Sequence, residues 1–243
     1  RAPSDNEFGP GTHCVRGQGA SNVVGMGFST RIGQYLFYET DGASCPLGLT
    51  EADYDRALAL TERQLLDLQR RLEDKIHDAA SMIFGAHVLM LKDDAFSGEI
   101  RTQIRAGTNP WIAILNEVRR YADLFAHSPN PSLREKVLDV EDLGHRLLHN
   151  LSAPSLESAS PDYTGQIIIA EELLPSDILK LSAEGAAGLV LLEGGQHSHV
   201  AILAKALQIP LVIASDRRLL NLPEKTPLLL DAKDGQIVVR PVP

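Results

Sequence analysis

An α/β fold interrupted by an all-helical insertion is what this sequence predicts, and three observations carry the prediction. After residue 165, short continuous apolar runs rich in branched residues alternate with helix-like stretches, the mark of a sheet covered on both faces and at least partly parallel. Between residues 50 and 151 the apolar period changes to three and four, which is one face of a helix. Residues 1–49 are rich in glycine and turn residues, and their apolar stretches are expected to join the later sheet. The expected organisation is therefore 1–49 as the first part of the α/β domain, 50–151 as the helical insert and 152–243 as the rest of the α/β domain.

Each element has its own signal. In the first region Asn22-Val23-Val24-Gly25-Met26 and Tyr35-Leu36-Phe37-Tyr38 read as strands among loops. Thr50 with Asp53 three residues on is a capping box that opens a helix. Leu65, Leu68, Leu72, Ile76, Ala79 and Ile83 then follow on one helical face, with a break near Lys92-Asp93-Asp94. Asn109-Pro110 and Asn130-Pro131 each place a capping residue before a first-turn proline and announce two more helices. The last of these carries Leu133, Val137, Val140, Leu147 and Leu151 along one stripe, for roughly four helices in all. SAPSLESASPDYTG (152–165) is a polar connector. Beyond it QIIIAE (166–171), GLVLLE (188–193), PLVIA (210–214), PLLLD (227–231) and QIVVR (236–240) read as strands, and 175–183 and 199–208 as helices.

Composition narrows the function. A net charge of -9 argues against a nucleic-acid binder, which needs a basic face, and suits a basic protein partner. Cys14 and Cys45 stand in no CxxC or zinc spacing, so a reducing compartment is expected. No apolar run approaches the roughly 20 residues of a membrane helix, and RAPSDNEFGPG has no signal-peptide core. The expected location is the cytoplasm, with no membrane partner.

The chemistry concentrates in GGQHSHVAILAKALQIPLVIA, residues 194–214. Ser198 is the helix cap and His199 the first helical residue, so the positive end of the helix dipole lies at an imidazole. Gly194 and Gly195 let an anion approach the backbone closely. A neutral imidazole is a good nucleophile, and a phosphoryl group on it would be met by backbone donors and a nearby cation, for which Lys205 is the candidate. His197 and His199 also form an HxH pair with Glu193 near. A metal needs three or four ligands, and successive residues across a cap seldom converge, so no metal site is expected.

This stretch resembles the GGxTSHxAIxAR signature of the phosphohistidine domain shared by enzyme I of the phosphoenolpyruvate-dependent sugar phosphotransferase system, pyruvate phosphate dikinase and phosphoenolpyruvate synthase. Four further segments are similar to enzyme I in particular: GQGASNVVGMGFS to its opening strand, ASMIFGAHVLMLKDDAF (80–96) with SLREKVLDVEDLGHRLLHNL (132–151) to its helical insert, and LLLDAKDGQIVVRP to its closing hairpin. The resemblance implies a swivelling phosphohistidine α/β domain with an inserted all-α subdomain. It implies that His199 exchanges a phosphoryl group, originally from phosphoenolpyruvate, with a histidine of the basic carrier HPr or an HPr-like domain. It places the carrier on the insert, near Phe84, His87, Leu91, Asp93 and Lys136. By the helical spacing alone, Phe84 and Leu91 equally suit a core, His87 and Asp93 are the better surface candidates, and Asp94 and Glu99 suit either a solvated face or the steering of a basic partner.

Departures from the pattern bear on rate. Leu174 stands where enzyme I usually carries a threonine that holds the active histidine, His197 replaces the threonine of TSH, and Lys205 replaces an arginine, keeping charge but losing the bidentate fork. His197 either takes over part of the orienting role or occupies a solvent-facing position. The alternative to an active transferase is a module that docks HPr-like partners with little transfer. The barrel by which enzyme I binds phosphoenolpyruvate and Mg2+ and dimerises is not matched in this chain. The chain is therefore expected to need no cofactor, to be monomeric, and to be either an excised portion or a module of a multidomain carrier such as the dihydroxyacetone kinase phosphotransferase subunit.

Overall fold

The computed structural model describes residues 7–32, 45–73, 79–134, 136–152 and 162–242. The strand expected at 35–38 and Ile76 of the helical stripe lie outside them, as do the side chains of Leu72 and Ala79. The chain divides into two compact units, Arg1–Tyr35 with Ala159–Pro243, and Leu36–Ser158.

Among the described residues the first unit holds eight strands, β1 (His13–Arg16), β2 (Gln18–Gly19), β3 (Val24–Arg31), β4 (Gln166–Ala170), β5 (Gly188–Leu191), β6 (Leu211–Ile213), β7 (Pro227–Asp231) and β8 (Gln236–Val239), in the order β1-β8-β7-β3-β4-β5-β6-β2. β3, β4, β5 and β6 run parallel, and the remaining pairings are antiparallel. The N-terminal strand thus joins the later sheet. β1 and β2 were not legible in the sequence, and they change the architecture. They occupy opposite ends of the strand order yet are separated only by Gly17, so the sheet closes on itself through residues 13–19. Gly17 permits the passage: a Cβ there would lie 2.3 Å from the Ile213 carbonyl oxygen, and its N–H donates to Gly235 O at 2.7 Å.

Alternation then sorts the side chains. Ile167, Ile169, Val190, Val212, Leu228, Leu230 and Ile237 fill the interior of the roll. Ile168, Leu189 and Leu211 point the other way and are equally buried, and on this side α8 (His199–Ala206) packs along β6 and against α7 (Pro175–Ala183). The expectation of cover on both faces holds for this parallel half. On β3 it fails, because Val24, Met26 and Phe28 are more than half exposed along one edge of the antiparallel half.

Among its described residues the second unit is helical: α1 (Glu51–Glu73), α2 (Ala79–Lys92), α3 (Glu99–Arg105), α4 (Pro110–Ala126), α5 (Pro131–Arg134) and α6 (Val137–Ser152). The Thr50–Asp53 capping box forms, with Thr50 N donating to the Asp53 carboxylate at 2.8 Å and Asp53 N to Thr50 Oγ1 at 3.4 Å. Asn109 caps α4 by accepting from Trp111 N. The break at Asp93 is a π-helical turn, Asp94–Gly98, whose first amides Asp93 caps through Ala95 N. The stripe expected from Leu133 to Leu151 is divided: Leu133 belongs to the short α5 and is exposed, while Val140, Leu143, Leu147 and Leu151 of α6 are buried.

Candidate phosphoryl-transfer site

β5 ends at Leu191 and its ladder continues past the strand end, with Leu192 N on Ala170 O at 3.1 Å and Glu193 N on Glu171 O at 2.9 Å. The chain then turns through Gly194, whose φ of +116° is in the region that favours glycine. A Cβ on Gly194 or Gly195 would meet nothing within 4 Å, so the space in front of this loop is open. Gln196 ties the loop to β2 by donating to Gly19 O at 2.9 Å. A turn from Ser198 N to Gly195 O at 3.0 Å brings the chain into α8.

Ser198 is the cap, as its position predicts: its hydroxyl accepts from Ala201 N at 3.2 Å. His199 is the first helical residue and is half-buried, with the positive end of the α8 dipole behind it. His197 is exposed on the loop, one residue outside the cap. Among the described residues no group of three His, Cys, Asp or Glu is arranged to hold a metal ion. Lys205 lies six residues beyond His199, about 9 Å further along the helix axis, in the last turn of α8. A cation is favoured there by the C-terminal end of the dipole, which makes Lys205 a poor neighbour for His199.

Leu174 caps α7 without a hydroxyl and is buried. Asp177 serves that helix start instead, its carboxylate accepting from Leu174 N at 2.9 Å. Two charged residues at the same edge escaped the sequence reading. Glu171 follows β4 and forms an ion pair with Arg217, which follows β6. The pair of arginines that follows the apolar run PLVIA (210–214) after two residues was the signal available for it.

In the helical unit the structure corrects the expected docking residues. Phe84 is fully buried, Leu91 nearly so, and His87, expected at the surface, is only 2% exposed. The reason lies on α6: Asp139 Oδ1 is 3.6 Å from His87 Nε2 and Asp142 Oδ2 is 3.9 Å from Nδ1, so the ring is held between two buried carboxylates and edge-on to Phe84. These three residues support the helix packing and are not open to a partner. Asp93 is exposed. Lys136 is half-buried, its ammonium 3.0 Å from Asp139.

Comparison with known proteins agrees with this architecture. Residues 17–136 match the family described as PEP-utilising enzyme, N-terminal, and residues 163–235 match PEP-utilising enzyme, mobile domain. The chain belongs to the PEP-utilising enzymes, of which it carries the N-terminal and mobile domains. It is 25% identical over 213 residues to the phosphoenolpyruvate-protein phosphotransferase of Listeria innocua, covering 85% of this chain and 37% of that protein. It is 31% identical over 206 residues to the multiphosphoryl transfer protein of Rhodobacter capsulatus, covering 85% and 25%. The chain therefore spans about a third or less of the length of these relatives. Its fold is that of the N-terminal domain of Enzyme 1 - Nitrogen, with a TM-score of 0.68 at 22% identity over 93% of this chain and 94% of the other. It is similarly close to a solution structure of Enzyme I, with a TM-score of 0.60 at 21% identity over 94% and 93%.

Proposed function

We propose that this chain is the phosphoryl-carrying portion of an enzyme I-type phosphotransferase and that His199 carries the phosphoryl group. The observation that supports it is the placement of His199 at the first position of α8, behind the open Gly194–Gly195 loop and inside the segment matched as the mobile domain. A neutral ring nitrogen of His199 attacks the phosphorus of a phosphohistidine on a carrier protein. The new P–N bond forms as the P–N bond to the carrier breaks, and the electron pair returns to the carrier's imidazole. Donor and acceptor are the same ring, so the step is nearly balanced, and alignment and charge shielding are what the protein has to supply.

The carrier is HPr or an HPr-like domain, and a basic carrier suits a protein of net charge -9. The docking surface on this chain includes exposed Asp93 and Asp94, which follow the end of α2. The phosphoryl group originates in phosphoenolpyruvate, and Mg2+ is needed only where a phosphoenolpyruvate-binding domain takes part. No described helix is long and apolar enough to cross a membrane, and the cytoplasm is the compartment in which free Cys14 and Cys45 stay reduced.

Mixing the chain with radiolabelled phospho-HPr and following label by gel tests the reading. Acid-labile, alkali-stable label on the parent and none on His199→Ala is the expected result. A measurable complex with HPr without any label would replace transfer by docking alone.

A further inference from the structure

We propose that Arg217 compensates the charge of a phosphoryl group on His199, with Glu171 holding the guanidinium in place while His199 is unmodified. The inference rests on the phosphoryl-carrier reading above. β4, β5 and β6 are consecutive neighbours, with Ala170 beside Leu191 and Leu191 beside Ile213. Glu171 is the residue after β4, and Arg217 lies three residues past Ala214, whose N–H donates to Leu191 O at 2.8 Å. Their ion pair therefore joins the segments that follow β4 and β6, the two strands on either side of β5. That end is where the Gly194–Gly195 loop departs for His199, and Glu171 is itself bonded to it through Glu193 N at 2.9 Å.

The two adjacent arginines have different commitments. Arg218 is bound to Asp216, which also accepts from Arg218 N, and its guanidinium lies 4.6 Å from the Phe8 ring centre. These contacts and buried Leu219 fix the 3-10 turn Arg217–Asn221. Arg217, on the same fixed turn, has a side chain 74% exposed and pairs with a carboxylate. A guanidinium offers five N–H donors, more than one carboxylate takes up, in a fork that fits phosphate. A phosphohistidine brings up to two negative charges to the mouth of α8. Ser198 already engages Ala201 N, and Lys205 stands at the far end of the helix. Arg217 is a cation held through Glu171, whose carbonyl accepts from Glu193 N just ahead of this loop.

The test compares the parent with Arg217→Gln, Arg217→Lys and Glu171→Gln in two measurements. In the first, exchange with phospho-HPr is run to equilibrium. In the second, each protein is phosphorylated chemically with phosphoramidate and its 31P resonance, assigned by its loss in His199→Ala, is titrated with pH. A nearby cation favours the dianion, so Arg217→Gln is expected to raise the phosphoryl pKa and shift the exchange equilibrium toward the carrier by about tenfold, the size of one charge-assisted hydrogen bond. Arg217→Lys retains part of the effect and Glu171→Gln retains it all, which a merely structural brace would not. An unchanged 31P titration in Arg217→Gln, with its thermal melt intact, overturns the proposal. Should the parent take no label from phospho-HPr, the carrier reading fails, and the titration of the chemically loaded proteins still decides the role of Arg217.

Discussion

Gly17 and Gly195 illustrate two different demands on a glycine. At Gly17 a Cβ would press into the Ile213 carbonyl and Ala214 Cβ, backbone and a buried neighbour that cannot give way. Gly17→Ala is therefore expected to destabilise the closed sheet by about 1–3 kcal/mol or more, read as a lower midpoint in urea. At Gly195 a Cβ meets nothing, so Gly195→Ala should leave the melt within about 0.5 kcal/mol of the parent. If the open space before the loop receives the phosphoryl group, the same substitution slows transfer from phospho-HPr by at least an order of magnitude. Parent-like transfer in Gly195→Ala would place the phosphoryl group elsewhere. Ser198→Ala removes the bond to Ala201 N and should cost about 1 kcal/mol of stability.

At the scale of elements, α1 is anchored by one buried tyrosine. Tyr54 is fully buried in the helical unit and its hydroxyl donates to Ser97 O at 3.1 Å, in the π-helical turn. Burial disfavours the phenolate, and the Tyr54 pKa is pushed up to about 12 from its ordinary value of 10.0. A phenol whose folded pKa is raised contributes stability that is complete below the unfolded pKa and lost as pH rises toward the folded one. The helical unit is thus expected to lose about 2 kcal/mol between pH 10 and pH 12. Tyr54→Phe should abolish that alkaline loss at a cost near 1 kcal/mol at neutral pH, both measurable by urea titration monitored by circular dichroism. An alkaline loss that survives in Tyr54→Phe would assign it to another group.

On the scale of the whole chain, the helical unit occupies the connection between two parallel neighbours, β3 and β4. Parallel strands need a crossover of about a dozen residues or more, and here 123 residues, Leu36 to Ser158, lie within that one crossover. The sheet and its interior side chains come from the other unit. Replacing Leu36–Ser158 by roughly a dozen flexible residues is expected to leave a cooperatively melting α/β unit that has lost carrier binding. The excised helical unit should conversely bind phospho-HPr without taking label. Binding by the full chain should weaken as salt is raised, because an acidic protein steering a basic carrier depends on unscreened charge.

Much of this was written in local sequence. Branched apolar runs and their spacing determined five strands of the α/β unit, and in β4, β5 and β6 continuous burial on two faces leaves no polar alternation. Thr50, Asn109 and Ser198 determined where helices begin, because a cap is a contact between residues two or three apart. The glycine–histidine stretch determined the candidate nucleophile. Tertiary structure alone decided what depends on distant partners. Gly17 turns β1 and β2 into a closing strand because β6 and β8 lie on either side of it. His87 is buried because Asp139 and Asp142, more than fifty positions on, meet it from α6. Glu171 and Arg217, 46 positions apart, meet because the sheet brings the ends of β4 and β6 to either side of β5. Helical periodicity specifies which side chains share a face, and only packing specifies which face is covered.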